Sequence, residues 1–162
     1  MFRWGIIGTG GIARAFADDI TNLGNHKVCA VLSRNIETAD KFSHSINDCF
    51  GYDDQHAFLN DDNIDAVYVA TPNTLHCDQT ISALKSNKPT LCEKPFSMNA
   101  DEAHLMIQAS KKFSTTLLDG MWMRYLPHIL RLKEILNEGH IGCLLYTSDA
   151  ADEGLGVDLG GR

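Results

Sequence analysis

The sequence predicts an α/β fold, a doubly wound parallel sheet, and three observations carry that reading. Short apolar runs of strand length alternate with segments whose apolar residues recur at helical spacing. The first run ends in Gly8-Thr9-Gly10-Gly11-Ile12-Ala13, a glycine-rich turn that opens directly into a helical segment. No internal repeat and no low-complexity linker interrupts the alternation. Crossovers in such a sheet are right-handed, and ligands sit beyond the carboxyl ends of the strands.

Each element follows from its local pattern. Residues 3–8 form a short apolar run ending in glycine, a buried strand. Ile12, Phe16 and Ile20, with Ala13 and Ala17 beside them, predict a helix that Asn22 and Gly24 stop. Residues 28–32 are wholly apolar, as parallel strands tend to be. A second helix is expected over 36–45 and a short third strand over 47–50, before a polar stretch with Asp53, Asp54, Asp61 and Asp62. Residues 66–70 make the clearest strand, turned by Thr71-Pro72-Asn73 into a helix running to about Lys85. Residues 90–92 form another strand, cut off by Glu93-Lys94-Pro95. Asn99 with Glu102 three positions on forms a capping-box pattern, which opens a helix over Ala103, Met106 and Ile107 to about Phe113. A last strand spans 116–119, and a helix over 126–137 carries Ile129, Leu132 and Leu136, with Gly139 as its stop.

Composition narrows the function. At 162 residues, with 44% hydrophobic and 22% charged residues, the chain suits one domain with a buried core. A formal charge of −7 argues against nucleic-acid or anionic-membrane partners. No apolar run reaches the roughly 18–20 residues of a membrane span, and the opening apolar stretch is too short for a signal peptide. The five cysteines show no CxxC and no metal-ligand spacing, so they read as reduced thiols of a cytoplasmic protein, with no metal site.

The last twenty residues stand apart. Residues 143–153 resemble the translated end of a transposase-type sequencing adapter. Residues 156–162 resemble a second constant piece in the same frame, after a gap of barcode length. Residues 143–162 are therefore expected to be non-native, and Tyr146 is given no role. The expected organisation is a cofactor-binding domain over 1–120, the start of a linker helix over 121–142, and the adapter-derived tail. A second α+β domain is expected to be missing.

The turns carry the chemistry. The first has the GxGxxA form of a dinucleotide fingerprint. Gly8 permits the tight turn, Gly10 lets the backbone approach a pyrophosphate, and Ala13 keeps helix and strand close. Thr9, Gly11 and Ile12 complete the turn at a helix N-terminus that favours phosphate charge. After the second strand comes Ser33-Arg34-Asn35, with no acid before Glu37. A hydroxyl followed by a guanidinium suits the 2′-phosphate of NADP, with NAD as the alternative cofactor.

With that fingerprint ahead of them, Thr71-Pro72-Asn73-Thr74-Leu75-His76 and Glu93-Lys94-Pro95 resemble the N-terminal, Rossmann-type domain of the Gfo/Idh/MocA oxidoreductases. The resemblance covers residues 3 to about 142. Asp119-Gly120-Met121-Trp122-Met123-Arg124-Tyr125-Leu126-Pro127 is similar to one branch, the trans-dihydrodiol and NADP-dependent D-xylose dehydrogenases. That branch commonly has Glu at the position of Asp119 and Phe at that of Tyr125.

The resemblance implies roles. Lys94 would be the catalytic residue, although outside this context a lysine reads as a solvated surface residue. Glu93 would hold Lys94 or a ribose hydroxyl, and Pro95 would fix the backbone, with a cis bond before it allowed. Thr71, Pro72, Asn73 and His76 would lie along the cofactor, His76 reading otherwise as a capping or packing residue. Trp122 and Arg124 would flank the substrate, or else serve as a core aromatic and an interface arginine. Cys92 reads as a packed thiol. The expected function, for a full-length protein, is an NADP-dependent oxidoreductase moving a hydride to or from a sugar, polyol or dihydrodiol, as a homo-oligomer. A non-catalytic nucleotide-binding module and an NAD-dependent glycosidase are the alternatives.

Overall fold

A computed structural model describes residues 1–140 and 142. The proposed adapter-derived tail, with Cys143 and Tyr146, lies outside the described residues. The chain divides into two compact units, Met1–Gly120 and Met121–Arg162.

The first unit is a six-stranded parallel sheet in the order β3-β2-β1-β4-β5-β6. Its strands are β1 (Phe2–Ile7), β2 (His26–Leu32), β3 (Phe50–Tyr52), β4 (Ala66–Val69), β5 (Thr90–Cys92) and β6 (Leu117–Asp119). Five helices connect them: α1 (Gly11–Thr21), α2 (Ile36–Ser43), α3 (Gln55–Leu59), α4 (His76–Lys85) and α5 (Ala100–Phe113). The order reverses between β1 and β4, which opens a crevice at the carboxyl ends of those strands.

Both sheet faces are packed, so the central strands are apolar throughout. On one face Ala13, Ala17, Ile20 and Phe42 close over Ile6, Val28, Val31 and Tyr68. On the other Phe58, Leu59, Cys77, Ala83 and Met106 close over Ile7, Leu32, Val67, Val69 and Cys92. The expected inward faces shift in places. Ile12 and Ile107 point outward at 46% and 44% exposure, because Ala13/Ala17/Ile20 and Met106/Ala109 turn toward the sheet instead.

Local signals set the helix ends. Asn35, Asp54 and Asn99 cap α2, α3 and α5 by accepting from main-chain N–H groups. Glu102 closes its capping box onto the N–H of Met98, 3.0 Å away. The third strand falls at Phe50–Tyr52 rather than 47–50. Asp48 adopts φ +55, which turns the chain away from extended geometry there, and pairing with β2 starts at Phe50. The polar stretch expected to follow it contains α3, whose five residues are too few to show a period.

At the amino ends of the central strands β1 and β4, Arg3 forks onto Asp65, Nε donating to Oδ2 at 3.0 Å and Nη2 to Oδ1 at 2.7 Å. Hydrogen bonding from Arg3 holds the Asp65 carboxyl below the usual carboxylate range. A depressed folded value means this contribution is complete above about pH 4 and fades as pH falls through the lower folded value. Asp65→Asn is therefore expected to flatten the acid limb of urea midpoint against pH below about pH 4. An unchanged limb would assign acid sensitivity elsewhere.

The second unit holds a 3-10 turn over Trp122–Tyr125 and α6 (Pro127–Asn137). Pro127 opens α6 at its first position. Gly139, at φ +74, closes it, with Gly139 N–H donating to Leu136 O and His140 N–H to Ile135 O. No residue of α6 is buried, and Leu132 is 48% exposed. Among the described residues no helix is long and apolar enough to cross a membrane.

Candidate functional site

A cleft of about 610 Å³ lies at the carboxyl ends of β1, β2 and β4. The fingerprint turn forms its floor. Gly8 N–H donates to Leu32 O at 2.9 Å and Ala70 N–H to Ile7 O at 2.9 Å, so three strand ends are tied around Gly8. Gly8 sits at φ +115, and a Cβ there would meet the Ala70 carbonyl oxygen at 2.7 Å. Nothing lies within 4 Å of a Cβ built on Gly10.

Gly10 caps α1 without a side-chain bond, and the first turn holds no acid. Arg14 N–H makes the first bond back to Gly10 O, which leaves the N–H groups of Gly11, Ile12 and Ala13 without helical partners. Ala13 is fully buried, keeping α1 close to the sheet. Free space over Gly10, open N–H groups and a positive helix end suit a pyrophosphate. The residues present thus fit a dinucleotide cofactor.

The turn after β2 places Ser33, Arg34 and Asn35 along the cleft, and Ser33 N–H is pinned to Tyr52 O at 2.9 Å. Thr9, Thr71 and Pro72 line it from β1 and β4. Thr71 Oγ1 donates to Gln79 Oε1 at 2.6 Å. Among the lining residues that sequence reasoning missed are Thr38, Asp53, Gln55 and Gln79. Thr38 and Gln79 follow lining turns at helical spacing, a signal that was available, while Asp53 and Gln55 depend on β3 pairing with β2. Arg34 is the only cation and Asp53 the only carboxylate lining the cleft, among the described residues.

Four of the remaining candidates cluster beside the cleft. His76 is 1% exposed, its ring nitrogens each 2.9 Å from a carbonyl oxygen, of Pro95 and of Thr71. It ties the turn after β4 to the turn after β5 from below and does not line the cleft. Glu93 is 7% exposed; its Oε1 accepts from Tyr68 Oη at 2.6 Å and its Oε2 from Lys94 N–H at 3.0 Å. Burial, reinforced by Glu93, holds the Tyr68 hydroxyl far above the usual phenol range, so it remains a donor. Lys94 is exposed in the turn after β5, its ammonium without a hydrogen-bond or ion-pair partner among the described residues, and the Lys94–Pro95 bond is cis. Asn73 begins a 3-10 turn, Asn73–Leu75, after the β4 turn.

Trp122 and Arg124 belong to the second unit, in its 3-10 turn, with Trp122 59% exposed. The four cysteines among the described residues are free. Burial pushes the Cys29, Cys49 and Cys92 thiols up to about 11, 12 and 11, so they are not poised as nucleophiles. Among the described residues no cluster of His, Cys, Asp and Glu is arranged to hold a metal ion.

Comparison with known proteins agrees with this fold. The model of the GFO_IDH_MocA family, described as an oxidoreductase family with an NAD-binding Rossmann fold, matches residues 2–120. The chain is 32% identical to an NADP-dependent D-xylose 1-dehydrogenase of Hypocrea jecorina, over 90% of this chain and 40% of that protein. It is 35% identical to the scyllo-inositol 2-dehydrogenase (NADP(+)) of Bacillus subtilis, over 85% and 42%. It is also 32% identical to the trans-1,2-dihydrobenzene-1,2-diol dehydrogenase of Mus musculus, over 88% and 43%. The crystal structure of an NAD-binding oxidoreductase from Klebsiella pneumoniae superposes with a TM-score of 0.81 at 25% identity, covering 87% of this chain and 40% of that one. The chain thus spans about two fifths of the length of the curated relatives it matches.

Proposed function

We propose, from the premise that this chain belongs to the Gfo/Idh/MocA oxidoreductase family, that it is the cofactor-binding part of an NADP-dependent dehydrogenase. The full-length protein would act on a sugar, polyol or dihydrodiol, in the cytoplasm and as a homo-oligomer. The observation that carries the reading is an alignment of turns. Gly8, Arg34, Thr71 and Lys94 follow the ends of four neighbouring strands, β1, β2, β4 and β5, on one edge of the sheet.

The chain's own residues divide the work. The open N–H groups after Gly10 hold the pyrophosphate, and Ser33 with Arg34 hold the 2′-phosphate through charge-assisted bonds. Thr71, Pro72 and Asn73 hold the nicotinamide ribose. The bound nicotinamide supplies the hydride acceptor or donor. Lys94 donates a hydrogen bond to the reacting oxygen and steadies its developing negative charge, and Trp122 and Arg124 flank the substrate.

Reduction of NADP by the full-length protein with D-xylose or trans-dihydrobenzenediol tests the activity. Cofactor binding without turnover on any polyol would favour the non-catalytic module instead. Calorimetry on this chain tests the cofactor. Arg34→Leu is expected to weaken NADP binding by roughly 10- to 100-fold, the equivalent of a charge-assisted hydrogen bond, and to leave NAD binding within about twofold. Equal loss for both cofactors would count against Arg34 as the 2′-phosphate ligand and would turn attention to Asp53, whose carboxylate suits a ribose hydroxyl.

A further inference from the structure

We propose that Tyr68 is a positioning residue for Lys94, acting through Glu93. The inference rests on the reading of Lys94 given above.

Tyr68 lies in the middle of the sheet at 2% exposure, and its ring stacks on Phe16 of α1 at 4.0 Å between centroids. Phe16 is in turn held edge-on by Trp4 at 5.3 Å. The ring therefore has one orientation, and that orientation aims its hydroxyl at Glu93 Oε1, 2.6 Å away. Glu93 is enclosed as well: a Cβ on Gly120 would lie only 3.2 Å from Oε1 and 3.0 Å from Cys92 O. With one carboxylate oxygen fixed by Tyr68, the other is set to accept the Lys94 N–H at 3.0 Å.

Burial keeps the phenol protonated, so Tyr68 donates without change across the working pH range. The exposed Lys94 has no side-chain hydrogen bond or ion pair among the described residues, so its placement depends on its main chain, which Glu93 holds at Lys94 N–H and His76 holds at Pro95 O. The carboxylate faces Tyr68, the Lys94 main chain and Gly120. Glu93 orients the lysine turn, and Tyr68 orients Glu93.

Amide hydrogen exchange of this chain by NMR tests the proposal without requiring turnover. Tyr68→Phe is expected to speed exchange of the Lys94 N–H by roughly tenfold, the scale of one lost buried hydrogen bond, with the Ile6 and Val69 amides unchanged. An unaltered Lys94 amide, or equal acceleration across β1, β4 and β5, would overturn it. If Tyr68→Phe does not fold, Glu93→Met tests the second link of the relay, since it removes both acceptor oxygens at similar length. Kinetics of the full-length protein add a second arm: Tyr68→Phe lowers kcat about tenfold with the KM for NADP within about twofold. Unchanged kcat in an active protein would overturn the proposal. A wild type without turnover would count against the proposed function, while the exchange experiment would still decide the role of Tyr68.

Discussion

Lys94→Met is expected to lower kcat of the full-length protein by about 10²- to 10⁴-fold, the range attributed to a positioned acid–base group, while NADP binding changes less than about threefold. Methionine keeps much of the length and apolar volume of lysine but can neither donate a hydrogen bond nor carry charge. The prediction stands on position. Lys94 follows the end of β5, is exposed, and has no ion-pair partner among the described residues. Structural lysines in this fold look different: Lys88 donates to two carbonyl oxygens, of Asp61 at 2.8 Å and Ile64 at 2.7 Å. Single-turnover measurement with saturating NADP separates the chemical step from binding. If the variant turns over at the wild-type rate, Lys94 is a solvated surface residue and the catalytic assignment falls.

The second large effect is a contrast between two glycines of one turn. Gly8→Ala is expected to destabilise the chain by about 3 kcal/mol, combining backbone strain with a steric clash. The φ of +115 disfavours any side chain, and the obstructing atom is the Ala70 carbonyl oxygen at 2.7 Å. That carbonyl has little room to yield, because the Ala70 N–H is bonded to Ile7 O across the sheet. Gly10→Ala, by contrast, meets nothing within 4 Å and keeps an ordinary φ of −78. Its cost to stability is expected to stay under about 1 kcal/mol, the scale of an unfavourable helix cap, while NADP affinity falls by tenfold or more as the methyl enters the space left for pyrophosphate. Urea titration and calorimetry on both variants read the two quantities separately. Equal effects on stability would mean that Gly10 serves the fold rather than the ligand.

The split between those glycines marks the boundary between what sequence and structure each decide. The GxGxxA spacing assigns the turn to Gly8 and the approach of a phosphate to Gly10, but only the structure supplies the obstructing Ala70 carbonyl at the first and the open space over the second. His76 illustrates the same limit. The motif draws attention to it, while the fold buries it between the carbonyls of Thr71 and Pro95. Nothing local to Tyr68 marked it, since a tyrosine in an apolar run reads as packing, and Glu93 stands 25 positions away.

By itself the sequence determined the alternation of strands and helices, the cap at Asn99, the glycine stop at Gly139 and the edge of the sheet at which the cleft opens. These depend on side-chain periodicity, on short-range side-chain-to-backbone bonds and on the conformational freedom of glycine, all contained within a few consecutive residues. Only the tertiary structure decided which apolar residues turn inward. It also decided that Phe50–Tyr52 pairs with β2, bringing Asp53 and Gln55 to the cleft, and that Tyr68 reaches Glu93. Those outcomes depend on parallel strands brought together by long crossovers, so the groups that meet are set by register across the sheet rather than by distance along the chain.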